Sequence, residues 1–149
     1  MLNEDYAEML RIFTDAEVRY LLVGAYAMGV HGHPRATGDI DLLVEPSAEN
    51  SKRVYAALVE FGAPTEELTE RTFSEPDVVF QIGVAPRRID IVTSIDGVAF
   101  EPAYREHHLA EIGDIEVPCL SRDHLIQNKR STGRPQDVVD ADTLEQFDE

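Results

Sequence analysis

The chain has a single cysteine, Cys119, and no tryptophan. One thiol excludes an intrachain disulfide and a cysteine-based metal cluster, which favours a reducing compartment, the cytoplasm. Cations are scarce as well. Thirteen Lys and Arg stand against 29 Asp and Glu, a formal net charge of −16 over 149 residues. A field of that sign repels phosphate backbones and anionic membranes at long range, so broad passive binding to either is excluded. It remains compatible with a basic partner or with plain solubility. No apolar run approaches the roughly 18–20 residues that span a bilayer. The acidic start Met1-Leu2-Asn3-Glu4-Asp5 lacks the basic-then-apolar order of a secretory signal. The expectation is a cytoplasmic protein with no membrane partner.

What is present is enough apolar material, 43% of 149 residues, for one domain (1–149) around one core. Tyr6, Met9, Leu10 and Phe13 recur at helical spacing and predict a helix over 4–16. Residues 19–23, 39–44, 78–82 and 88–92 read as strands, with 98–100 and 115–117 as short edge pieces. Helices are predicted over 25–31, 48–61 behind Ser47, 122–131 behind Ser121, and from Pro135 to Phe147. Residues 64–76 are polar and carry no clear pattern. Helices and strands mixed in this way predict an α/β (α+β) domain with a small mixed sheet, flanked by helices and closed by C-terminal helices.

The block that carries chemistry is an apolar strand, Leu21-Leu22-Val23, a turn at Gly24-Ala25, and then Asp39-Ile40-Asp41-Leu42-Leu43-Val44. Side chains two apart on a strand share a face, so Asp39 and Asp41 project together while Ile40 turns to the core. Two adjacent carboxylates repel unless a proton or cation lies between them. Oxygen-only donors suit Mg²⁺ or Mn²⁺. Asp90, within Arg88-Ile89-Asp90-Ile91-Val92, supplies a third carboxylate if its strand adjoins that of Asp41. Alone, Asp90 reads first as the salt-bridge partner of a neighbouring arginine; beside the Asp39–Asp41 pair it reads as part of the site. Arg35, Arg87, Arg88, Lys129, Arg130 and Arg134 fall near these motifs. They are either a basic cleft on an acidic body or ordinary surface cations.

The pattern Gly24-Ala25-Tyr26-Ala27, His31-Gly32, Arg35-Ala36-Thr37-Gly38-Asp39-Ile40-Asp41-Leu42, with the later Asp90, resembles the nucleotidyltransferase superfamily of polymerase-beta type. Its wording is nearest the bacterial AbiEii-type toxins and related small nucleotidyltransferases. The late segment Leu125-Ile126-Gln127-Asn128-Lys129, then Gly133-Arg134-Pro135-Gln136-Asp137-Val138-Val139-Asp140, resembles the same group, so the likeness spans roughly residues 18–145. It implies that Asp39, Asp41 and Asp90 are catalytic and bind metal, Mg²⁺ or Mn²⁺. It places Gly24, Ala25, Arg35, Thr37 and Lys129 at a nucleoside triphosphate such as ATP. Asp137 and Asp140 read as structural.

The implied reaction transfers NMP from an NTP to a hydroxyl. The resemblance leaves the acceptor open among an RNA 3′ end, a protein and a small alcohol such as an aminoglycoside. It also raises an antitoxin partner. Many members of the group carry Ser where this chain has Ala25; Arg35 is the candidate to compensate, by forking onto phosphate. The rival reading is a catalytically weak or inactive shell of the same fold that binds only nucleotide or a partner. His31, His33 and Tyr26 read first as packed or backbone-bonded residues, His107-His108 as surface, and Cys119 as a small buried side chain.

Overall fold

A computed structural model describes residues 3–34, 38–84 and 87–146. Helix α1 (Glu4–Asp15) starts where Asn3 accepts a hydrogen bond from the Tyr6 amide at 2.9 Å, and it buries Tyr6, Met9, Leu10, Ile12 and Phe13. Strand β1 (Tyr20–Val23) runs straight into α2 (Gly24–Val30). Strand β2 (Ile40–Val44) leads through the Ser47 cap to α3 (Ala48–Phe61). Strands β3 (Val79–Ile82) and β4 (Ile89–Val92), helix α4 (Phe100–Arg105), and strands β5 (His108–Ile112) and β6 (Ile115–Cys119) follow. Helices α5 (Arg122–Thr132) and α6 (Pro135–Gln146) complete the described chain. None of its helices is long and apolar enough to cross a membrane.

The six strands form one mixed sheet in the order β3-β4-β2-β1-β6-β5. β1 is antiparallel to β2, and β2 is parallel to β4. Every residue of β1 is buried, and in β2 only Asp41 is not. This is the pattern of central strands covered on both faces. The outer strands β3 and β5 alternate or lie open, as edges do. The register sets the geometry of one end of the sheet. Val23, the last residue of β1, pairs with Asp41, and Asp41 pairs with Asp90 on the other side.

Three departures from the sequence reading have physical causes. Val98 makes only an isolated bridge with Ile95, and Phe100 opens α4 rather than continuing a strand. Pro102 has no amide to offer a ladder, but its missing donor is harmless in a first helical turn. Residues 108–112 form β5, paired with β6 around a turn at Gly113 with φ +63°. Its exposed, charged face hides the alternation that marks a strand. Within the unassigned stretch 64–76, Thr72–Ser74 makes a short 3₁₀ turn that buries Phe73, whose amide donates to Ser51 Oγ at 2.9 Å.

The last two helices are joined by a buried ionic network. Lys129 Nζ lies 3.3 Å from Asp137 Oδ1 and 3.2 Å from Asp140 Oδ2, with the lysine only 6% exposed. Asp137 also accepts from Thr132 Oγ1 and Arg134 Nε, both at 2.7 Å. Burial works against the Asp137 charge, but the Thr132 and Arg134 hydrogen bonds prevail and hold its carboxyl below the usual range. Just before Lys129 on α5, Asn128 Nδ2 donates to Asp96 O at 2.9 Å and Gln127 to Gly97 O, clamping the loop that follows β4. Breaking a buried pair from one side strands the remaining charges. Lys129→Met should therefore destabilise the protein by about 3 kcal/mol, read from urea unfolding. A change within experimental error would show that the network is dispensable.

Candidate active site

The site is built where β1 ends and β2 and β4 begin. Chain reversal at Gly24 needs a backbone that an L side chain rarely adopts, with φ +72°. Space is the second constraint. A β-carbon placed on Gly24 would overlap the Asp41 carboxylate, its Cγ only 3.2 Å away. The bare glycine thus lets the β1–α2 turn lie directly against Asp41. Ala25 follows, half-buried in the first turn of α2.

Asp39 precedes β2 instead of lying within it. Its Oδ1 accepts the Arg88 backbone amide at 3.1 Å, and the Ile40 amide donates to Arg88 O at 3.0 Å. Tyr6 secures the same junction from α1, because its hydroxyl donates toward both Gly38 O and Arg88 O. Burial raises the Tyr6 phenol to about 12, so it stays a donor at any ordinary pH. Tyr26 packs edge-on to Tyr6, ring centroids 5.9 Å apart.

Three carboxylates and one guanidinium meet here. Asp41 and Asp90 lie side by side on adjacent strands. Arg88 forks onto Asp90, Nε to Oδ1 at 2.7 Å and one terminal nitrogen to Oδ2 at 3.1 Å. The same nitrogen reaches Asp39 Oδ2 at 3.2 Å. Both readings of Asp90 therefore hold at once: it is an arginine's partner and a member of the acidic cluster. Burial first, then the charge and hydrogen bond of Asp90, push the Asp41 carboxyl from 3.8 to about 7.

The donor set suits a hard divalent cation: carboxylate oxygens from two adjacent strands, one of them unable to ionise comfortably beside its neighbour. Among the described residues, no three acidic, histidine or cysteine side chains form a ready-made metal cage. At this cluster the Arg88 guanidinium contacts Asp39 and Asp90 instead.

The remaining predicted residues divide. Arg35 and Thr37 lie outside the described residues. Lys129 is in the α5–α6 network, its charge met by Asp137 and Asp140. His31 lies after α2, its Nε2 2.8 Å from Leu120 O, and burial lowers its pKa. His107 Nδ1 is 2.6 Å from Tyr104 O, and His108 is exposed on β5. Cys119 is fully buried, which raises its thiol to about 12. Two contributors escaped the sequence reading. Tyr6 looked like one more apolar position of α1, and Arg88 like one of several nearby cations. The signal for Arg88 was its place two residues before Asp90 on a strand, which puts both on one face.

The Asp41 shift has a consequence for stability. A carboxyl that binds its proton more tightly when folded favours the folded state while protonated. That contribution is complete below about pH 4 and is lost as pH rises through about 7. In EDTA, the unfolding midpoint of the wild type should therefore fall relative to Asp41→Asn between about pH 5 and 8. Parallel pH profiles for the two proteins would refute the assignment.

No family model and no curated protein sequence matches the chain. Solved structures do. A Thermotoga maritima protein assigned as a nucleotidyltransferase superimposes with TM-score 0.64 at 18% identity, covering 99% of this chain and 94% of its own. The lincosamide antibiotic adenylyltransferase LnuA, solved with lincomycin, gives TM-score 0.64 at 16% identity, covering 99% of both chains. ANT(2'')-Ia in complex with adenylyl-2''-tobramycin gives 0.61 at 17% identity, over 93% of this chain and 84% of that one. With a six-stranded mixed sheet between helices and these structural neighbours, the chain has the nucleotidyltransferase fold.

Proposed function

We propose that the protein is a metal-dependent nucleotidyltransferase that moves NMP from a nucleoside triphosphate to a hydroxyl acceptor. One observation carries the reading: Asp41 lies against the Gly24 turn and beside Asp90 on the next strand, and Arg88 ties Asp90 to Asp39. Asp39, Asp41 and Asp90 would hold the cation, Mg²⁺ or Mn²⁺. Bound there, it would neutralise triphosphate charge and ease deprotonation of the attacking hydroxyl.

The chain's own residues supply the rest. Gly24 lets the turn lie directly against Asp41, and the backbone amides of that turn would approach a phosphate held by the same metal. Arg35 and Thr37 are proposed to complete the nucleotide contacts. Asp90, at the edge of the cluster nearest Arg88, is the candidate to receive the acceptor's proton. Catalysis of this kind rests on positioning and on fixed charge.

A small hydroxyl-bearing acceptor is favoured over RNA. LnuA, a lincosamide adenylyltransferase solved with lincomycin, and this chain cover 99% of each other, which supports an acceptor of that size. The net charge of −16 also disfavours a polyanionic acceptor and favours a cationic one. The rival, a nucleotide-binding shell without turnover, draws on Ala25, which offers no hydroxyl to phosphate.

Incubation of the protein with α-labelled NTPs, Mg²⁺ and separate pools of aminoglycosides, lincosamides, protein and total RNA tests the reading. Label should transfer in a small-molecule pool. Asp41→Ala should lower transfer by roughly 10³-fold or more while circular dichroism stays unchanged. Full turnover by that variant sinks the assignment, and binding of NTP without transfer to any pool favours the rival.

A further inference from the structure

Arg88 sits at the carboxylate cluster in a way that a routine surface ion pair does not explain. Its backbone is fixed: the amide donates to Asp39 and the carbonyl accepts from both Ile40 and Tyr6. Its side chain touches two of the three carboxylates, with a fork on Asp90 and a single bond to Asp39. Yet the guanidinium is not sealed in, since the side chain is 30% exposed. The anchor is rigid and the charged end has a route to solvent.

The oxygens that Arg88 engages are those a divalent cation would need. Asp90 spends both of its carboxylate oxygens on the fork. A guanidinium and a divalent ion compete for these oxygens, and at such range they repel. Removing the guanidinium without a replacement leaves like charges crowded beside the half-buried Asp41. A cation or a proton must offset them, and the fold carries a cation of its own.

We propose that Arg88 is a built-in counter-cation of this site, a positioning residue that holds the carboxylates together and that a divalent ion must displace from Asp39 and Asp90. The inference rests on the metal-binding reading of the three aspartates. It makes the metal-free and metal-loaded clusters alternatives in which the same oxygens face different cations. Metal uptake is then weaker than the acidic cluster alone would provide.

Mn²⁺ titration of the full-length, metal-free protein, followed by the loss of free-ion signal in electron paramagnetic resonance, tests this directly. Arg88→Gln should bind Mn²⁺ about tenfold more tightly than wild type, and its melting temperature in EDTA should be lower. Arg88→Lys keeps the charge without the planar fork, so its Mn²⁺ affinity should fall between the two. That variant decides the matter should Arg88→Gln not fold in EDTA. Wild-type binding that neither substitution strengthens overturns the counter-cation role alone. Absence of Mn²⁺ binding in wild type and variants overturns the metal reading and this inference together.

Discussion

Like charges on neighbouring strands set the terms for everything at this end of the molecule. The pairing of β2 with β4 places Asp41 beside Asp90, and that register is locked by the apolar residues on either side of each aspartate. Ile40, Leu42, Ile89 and Ile91 are all buried. A slip of one residue would turn each of them to the opposite face, so the core dictates the register and the register dictates the charge conflict. The conflict is answered locally, by an Asp41 carboxyl that burial and Asp90 make reluctant to ionise and by the guanidinium that Arg88 brings to Asp90 and Asp39. Packing thus maintains an arrangement that electrostatics alone would open.

This explains why some parts of the molecule were legible from residues and others were not. The alternation Asp-Ile-Asp, followed by Leu42-Leu43-Val44, has one physical solution: a buried strand presenting its acids at one end. Asp90 between Ile89 and Ile91 has the same solution. Caps were equally plain, because Ser47 and Ser121 stand before apolar helical patterns and each accepts an amide three residues on. The order of strands was not legible. Nothing local says that β4, separated from β2 by a helix and an edge strand, returns parallel to it. Edge strand β5 and the short helix α4 were missed because exposure leaves edges without a strict alternation and Pro102 sends two opposite signals.

Lys129 shows the other boundary of sequence reasoning. Its place in a segment resembling a nucleotide-binding group suggests a ligand contact, while its surroundings are two aspartates of α6 in a nearly dry interface. Spacing cannot distinguish those cases. Asp137 and Asp140 lie three apart on one helix, which places both on the face toward α5. The late segment docks the last two helices, with Gln127 and Asn128 fastening the loop after β4 to the same helix. Its relation to the acidic cluster is through the sheet strand that precedes that loop.

Tyr6 connects the beginning of the chain to this chemistry. Its hydroxyl joins the carbonyls of Gly38 and Arg88, the two approaches to the aspartate-bearing strands, from a helix that starts at Glu4. Asn3 in turn anchors the amide of Tyr6. An affinity tag fused tightly to the first residues, or a shortened expression boundary, would therefore perturb the geometry of residues 39 and 88 although both are remote in sequence. Anyone producing this protein for enzymology has reason to put the tag at the other end.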